Sequence, residues 1–210
     1  MQWMLDGGFF MWPILLCLII GLTISFERFY FITTAARNSR RVGEHVLNHL
    51  RDGGVAKALQ ACETEKGPVA AIYRAALQRV GRGRSLVEKS IVDVGGLEVA
   101  ALERGLIWLS TIITMAPLLG FTGTVQGMID SFHAIKVTND MSPAIVAGGI
   151  SIALLTTLFG LVVAMIIQVF HNYCIARIDR IVLEMEESAI TLVDELMAQE
   201  LLSPGDAERA

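Results

Sequence analysis

Charged side chains are missing from three long stretches of this chain. Between Asp6 and Glu27 lie 20 uncharged residues, between Arg104 and Asp130 lie 25, and between Asp140 and Arg177 lie 36. A transmembrane helix needs about 20 apolar residues to cross roughly 30 Å of hydrocarbon. Each stretch therefore predicts one span, placed at 10–32, 106–132 and 145–173. The third run exceeds one span but holds no turn signal, so its excess predicts a helix that continues into water. The remaining chain divides into a leading segment 1–9, a loop 33–105, a short loop 133–144 and a tail 174–210.

Outside the spans the pattern is helical, with no alternation of the strand type. In the long loop, breaks are predicted at Gly53-Gly54, at Gly67-Pro68 and at Gly81 to Gly83. Ser85-Leu86-Val87-Glu88 has the spacing of a capping box, and a helix starting there is expected to run through Glu103-Arg104 directly into the second span. In the tail, Ile175, Ile178, Val182, Met185, Ala189, Leu192 and Leu196 follow at alternating spacings of three and four. That is one narrow apolar seam on a helix, suited to knobs-into-holes packing. Its two possible partners are the chain's own loop helices and a neighbouring subunit.

The spans are patterned too. Pro117, Gly120, Thr124, Gly127 and Ser131 share one face of the second span. Gly149, Ala153, Thr157, Gly160, Ala164, Gln168 and His171 share one face of the third. Small residues let helix backbones approach closely in lipid, and Gly123-x-x-x-Gly127 is one such spacing. A threonine on such a face can simply bond its own i−4 carbonyl, so residue type alone leaves Thr124 and Thr157 open between packing and function.

Composition agrees with a membrane protein: 53% of residues are hydrophobic and 18% charged, against about 25% charged in soluble domains. A net charge of −4 supplies no basic field for nucleic acid. Cys17, Cys62 and Cys174 form no C-x-x-C pair, which argues against a disulfide framework or a thiolate zinc site. Orientation follows from lysine and arginine. With the N-terminus outside, 16 of the 17 basic residues lie on the inner side and only Lys136 lies outside. The first span lacks a basic n-region and is followed by Glu27-Arg28, Arg37, Arg40 and Arg41, so it is not read as a cleavable signal. The expectation is an all-α polytopic membrane protein, N-out and C-in, with three transmembrane helices and long cytoplasmic helical extensions.

The middle of each span contains no Asp, Glu, Lys or Arg. An intramembrane ionisable group is the usual mark of a proton relay, so a conducting role requires a carboxylate from another chain. An intramembrane enzyme would need a nucleophile–base pair or metal ligands at depth. His171 has no plausible partner of that kind, so no catalytic residue, metal or cofactor is expected.

The stretch Ala116-Pro117-Leu118-Leu119-Gly120-Phe121-Thr122-Gly123-Thr124-Val125-Gln126-Gly127-Met128-Ile129-Asp130-Ser131-Phe132 resembles the signature of the MotA/TolQ/ExbB family of ion-channel subunits. So does Gly149-Ile150-Ser151-Ile152-Ala153-Leu154-Leu155-Thr156-Thr157-Leu158-Phe159-Gly160-Leu161. Three spans with an outside N-terminus favour the ExbB/TolQ branch over the four-span flagellar stators. The resemblance implies a homopentameric ring in the bacterial inner membrane, surrounding the single spans of two copies of an ExbD/TolR-like partner that carries the membrane aspartate. It implies proton flow, with sodium left open, driving rotation used at the outer membrane, for instance in TonB-dependent transport with a TonB-like protein as a further partner. Thr124 and Thr157 then match lumen-lining hydroxyls, beside the pore-face packing residues Pro117, Gly120, Gly127, Ser131, Gly149, Ala153, Gly160 and Ala164. Related chains often place a glutamate before the Ala-Leu of the third span, where this one has Ile152. The competing reading is a structural membrane scaffold that conducts nothing.

Overall fold

The computed structural model describes residues 8–138, 143–199 and 201–202, and every regular element among them is helical. Helix α1 spans Met11–Thr64, α2 Pro68–Leu77, α3 Arg84–Glu103, α4 Leu106–Thr138 and α5 Pro143–Ala198, with one 3-10 turn at Val80–Arg82 between α2 and α3. Three of these helical stretches are long and apolar enough to cross a membrane. The expected continuation of the third span holds, because α5 is one helix of 56 residues.

The glycine breaks fall where the sequence places them. Gly54 interrupts α1 at φ 71°, Gly67 precedes α2 at φ 130° and Gly83 precedes α3 at φ 95°. These left-handed conformations cost a side chain with a Cβ, and glycine adopts them freely.

Two expectations are corrected. The capping box does not form: Gly83 is the N-cap of α3, Ser85 sits inside the helix, and no side chain caps the end. Glu88 instead accepts a 2.6 Å bond from Arg84 Nε, one helical turn away. Nor does α3 run on into the second span, because Arg104 leaves the helix at ψ 127° and Gly105 follows at φ 90°. Between the second and third spans, α4 reaches Thr138 and α5 starts at Pro143. Residues 1–7 of the leading segment, 139–142 of the loop predicted at 133–144, and 200 and 203–210 of the tail lie outside the described residues.

The chain divides into two compact units. One contains the residues up to Phe29 with Gly105–Tyr173, the other Tyr30–Arg104 with the chain from Cys174 onward. The first is the membrane unit. Its interior holds Ile14, Leu109, Ala116, Ala153 and Ile167, while Phe9, Leu118, Phe121, Leu154 and Met165 face outward. Outward apolar side chains suit a lipid surround and would be costly in water. Gly21 allows a close approach of α1 to α5, as a Cβ there would lie 2.8 Å from Ile167 Cδ1. Phe29 stacks on Tyr173 with ring centroids 5.2 Å apart.

The second unit packs the lower part of α1 with α2, α3 and the lower part of α5. Val46, Leu50, Cys62, Tyr73, Leu77 and Val87 are fully buried there, as are Cys174, Ile178, Ile181, Met185, Leu192 and Leu196 of α5. The tail seam thus packs on the chain's own loop helices. Its register is slightly rotated from the expected one: Cys174 and Ile181 are buried, while Ile175 is 39% exposed and Val182 is only half-buried. Polar ties flank the seam. Tyr73 Oη donates to the Ser188 carbonyl at 3.0 Å, and Arg51 pairs with Glu195 at 2.6 Å. Removal of a large apolar side chain from water contributes about 1.5–3 kcal/mol, so Ile181, Leu192 and Leu196 outweigh these ties.

Candidate functional site: the glycine-threonine face between two spans

The small stripes of the second and third spans face each other inside the membrane unit. A Cβ at Gly120 would lie 2.9 Å from the Thr156 carbonyl, and one at Gly160 would lie 2.5 Å from the Ala116 carbonyl. At Gly127 it would meet the Gly149 carbonyl at 2.9 Å and Ala153 Cβ at 3.1 Å, and at Gly149 it would land on the Ser131 hydroxyl. Backbone meets backbone here, which only glycine permits. Pro117 sits in α4 beside this contact, where its missing N–H leaves the Ile113 carbonyl without a ladder donor.

Hydroxyls punctuate the face. Thr157 Oγ1 donates across the interface to the Gly120 carbonyl at 3.1 Å. The same carbonyl is the i−4 ladder acceptor for the Thr124 amide, so Thr157 is anchored within one turn of Thr124. The Thr124 hydroxyl bonds locally, to the Phe121 carbonyl at 2.6 Å, and is partly exposed. Ser131 is buried and bonds the Gly127 carbonyl at 2.9 Å. Ala164 is buried as well.

The neighbouring hydroxyl of Thr156, rather than that of Thr157, goes deepest. Thr156 is 1% exposed, donates to the Ala153 carbonyl at 2.8 Å and reaches the Gly120 carbonyl at 3.5 Å. The available signal was the spacing Ala153, Thr156, Gly160, which is as good a helical stripe as Ala153, Thr157, Gly160.

A second polar feature adjoins this face, sharing Gly127 and Thr156 with it. A cavity of about 410 Å³ is lined by Phe9, Gln126, Asp130, Ile152 and Thr156 among others. Gln126 Nε2 donates to Asp130 Oδ1 at 2.8 Å. The carboxylate lining this cavity with Ile152 therefore comes from α4 and sits near the end of the span. His171 is on α5 with its Nδ1 buried and without a hydrogen-bond partner. Among the described residues no group of three or more His, Cys, Asp or Glu is placed to hold a metal.

Comparison with known proteins agrees with this architecture. The model of the MotA/TolQ/ExbB proton channel family matches residues 64–187. The chain is 35% identical over 175 residues to a biopolymer transport protein ExbB homolog of Methanothermobacter thermautotrophicus, covering 83% of this chain and 62% of that protein. It is 32% identical over 171 residues to an ExbB-like biopolymer transport protein of Synechocystis, covering 79% and 80%. To the Tol-Pal system protein TolQ of Pseudomonas aeruginosa it is 33% identical over 85 residues, 40% of this chain and 37% of that protein. The chain thus spans under two-thirds of the archaeal relative's length and most of the cyanobacterial one's. The match covers more than half of the residues and includes the glycine-threonine face built above, so this membrane chain belongs to the MotA/TolQ/ExbB proton channel family, in its ExbB/TolQ branch.

Proposed function

We propose that this chain is the channel-forming subunit of an inner-membrane motor that spends the proton motive force on work at the outer membrane. It adopts an N-out, C-in topology and assembles as a homopentamer around two copies of an ExbD/TolR-like single-span partner. The observation that carries the reading is the close glycine-threonine face in a membrane unit whose mid-span positions hold no Asp, Glu, Lys or Arg. Such a unit can present hydroxyls to an ion or to a carboxylate, but has no carboxylate of its own at that depth. The partner's aspartate supplies the proton-accepting group. Each elementary charge crossing the potential releases about 2.3 kcal/mol per 100 mV, so one ion drives a modest step and a pull on the outer membrane needs many.

A scaffold reading draws on one specific observation: both threonine hydroxyls are already spent on backbone carbonyls within this chain. Substitution by valine separates the two. Threonine and valine are nearly isosteric, and an interhelical hydrogen bond in a membrane averages about 0.6 kcal/mol, too little to dismantle a ring. For a motor, Thr157→Val abolishes energy-dependent growth or uptake, Thr124→Val reduces it severely, and both leave the purified ring intact. Thr111→Val, whose hydroxyl bonds the Ile107 carbonyl on an exposed face, is nearly silent. Normal function in both mutants, or failure only through loss of the ring, supports the scaffold instead.

A further inference from the structure

In the second unit, a cavity of about 490 Å³ opens between the lower part of α1, the start of α2 and the end of α3. That volume is within the roughly 300–1,000 Å³ typical of small-molecule sites. Its wall is mostly apolar, with Tyr30, Phe31, Ala101 and Leu102 contributing. Four charged side chains stand around it: Lys66 and Arg74 against Glu65 and Glu98.

Chain connectivity fixes its depth. Tyr30 and Phe31 are the last turn of the span predicted at 10–32, and Thr34, also in the wall, lies two residues further, about 3 Å along the helix axis. Leu102 is four residues before the start of α4. The cavity therefore sits at the edge of the bilayer whatever the arrangement of the two units. Tyr30 is 77% exposed and Phe31 47% exposed, and the amphipathic ring of a tyrosine favours the headgroup level.

The charges are only partly used. Arg74 gives one nitrogen to the Cys62 carbonyl at 2.7 Å, yet its buried Nε has no hydrogen-bond partner. Glu65 is 3.6 Å from His45 Nδ1. Lys66 and Glu98 have no ion-pair partner within 4 Å among the described residues. The four charges sum to zero. An anionic headgroup would satisfy the two cations but bring its phosphate up against two carboxylates. A headgroup with both a phosphate and an ammonium satisfies all four, and a primary ammonium also donates hydrogen bonds that a quaternary one cannot.

We propose that this cavity binds the headgroup of a phosphoethanolamine phospholipid from the adjacent leaflet, with phosphate toward Lys66 and Arg74, ammonium toward Glu65 and Glu98, and the lipid's apolar part along Tyr30, Phe31 and Leu102. The lipid ties the foot of the first span to the helix that leads into the second. This site is independent of ion conduction and does not rest on the function proposed above.

The test uses the full-length protein, stripped of lipid in detergent and then given phosphatidylethanolamine, phosphatidylglycerol or phosphatidylcholine at equal concentration, with bound lipid counted by native mass spectrometry. Phosphatidylethanolamine is expected to be retained about tenfold more than the other two, the equivalent of one charge-assisted contact. The double variant Lys66→Gln/Glu98→Gln loses that preference, whereas Lys89→Gln/Asp93→Asn on the exposed side of α3 keeps it. Ala101→Trp, at an exposed position on the wall, blocks retention without changing helix content or oligomer size. Equal retention of the three lipids overturns the proposal, as does a preference that survives the double variant. So does an Ala101→Trp protein whose oligomer falls apart, since that outcome means a second copy of the chain covers the cavity. Soluble phosphoethanolamine that displaces no lipid assigns recognition to the acyl chains and also overturns it.

Discussion

Replacement of Gly160 by alanine tests the close contact between the second and third spans most directly. The added Cβ would lie 2.5 Å from the Ala116 carbonyl oxygen, whereas ordinary contact begins at 3.4 Å, so the helices must part there by about 0.9 Å. The opposing atom is backbone and cannot rotate away. An opening of that size carries the Thr157 hydroxyl from 3.1 Å to about 4 Å from the Gly120 carbonyl, beyond hydrogen-bond reach. Overpacking of this kind costs about 1–3 kcal/mol and the lost bond about 0.6 kcal/mol. Alanine returns about 0.5–1 kcal/mol through its better helix propensity. The net expectation is a loss of about 1–3 kcal/mol, read as a lower melting temperature in detergent or a lower midpoint in denaturant-micelle unfolding. Gly148→Ala is the matched control: it is in the same helix with nothing within 4 Å of its added Cβ, and should be neutral or slightly stabilising. If Gly160→Ala is as stable as Gly148→Ala, the two spans do not approach at Gly160 and the argument built on their contact fails.

Three further outcomes follow from the second unit. Tyr73→Phe removes the hydroxyl that satisfies the Ser188 carbonyl in a buried setting, and should cost about 1–2 kcal/mol in chemical unfolding while leaving helix content unchanged. The Cys62 thiol is pushed up to about 11 by burial, with Arg74 opposing and Glu65 adding to the shift; it should resist alkylation at pH 8 in the native protein and react promptly once the protein is unfolded. The Arg51 and Gln199 hydrogen bonds hold the Glu195 carboxyl below its ordinary range. Its stabilising effect is therefore complete above the unfolded carboxylate value near pH 4.3 and fades as pH falls through the lowered folded value. The gap in melting temperature between wild type and Glu195→Gln should be present at pH 7 and close on acidification; a gap that widens in acid would contradict the assigned ion pair.

Much of the architecture is a local property of the chain. The number of spans follows from uninterrupted apolar length, because the bilayer has one thickness and a helix one rise per residue. The breaks at Gly54, Gly67 and Gly83 follow from glycine's access to positive φ, and α5 stays continuous because nothing in it stops a helix. The tail seam was legible for the same reason, since burial along one helix repeats every three or four residues. What periodicity cannot do is choose between neighbours on one face, or name the surface opposite. Successive residues on a helix differ by only about 100°, so Val182 and Ile181, or Thr157 and Thr156, satisfy the same stripe. Packing decided that Ile181 and Thr156 go furthest inside. Local competition decided the start of α3, where Arg84 took the Glu88 carboxylate that a capping box would have used. Tertiary folding alone gathered Tyr30, Lys66, Arg74 and Glu98 around one cavity, because charge complementarity between residues so far apart in the chain exists only after three helices have met.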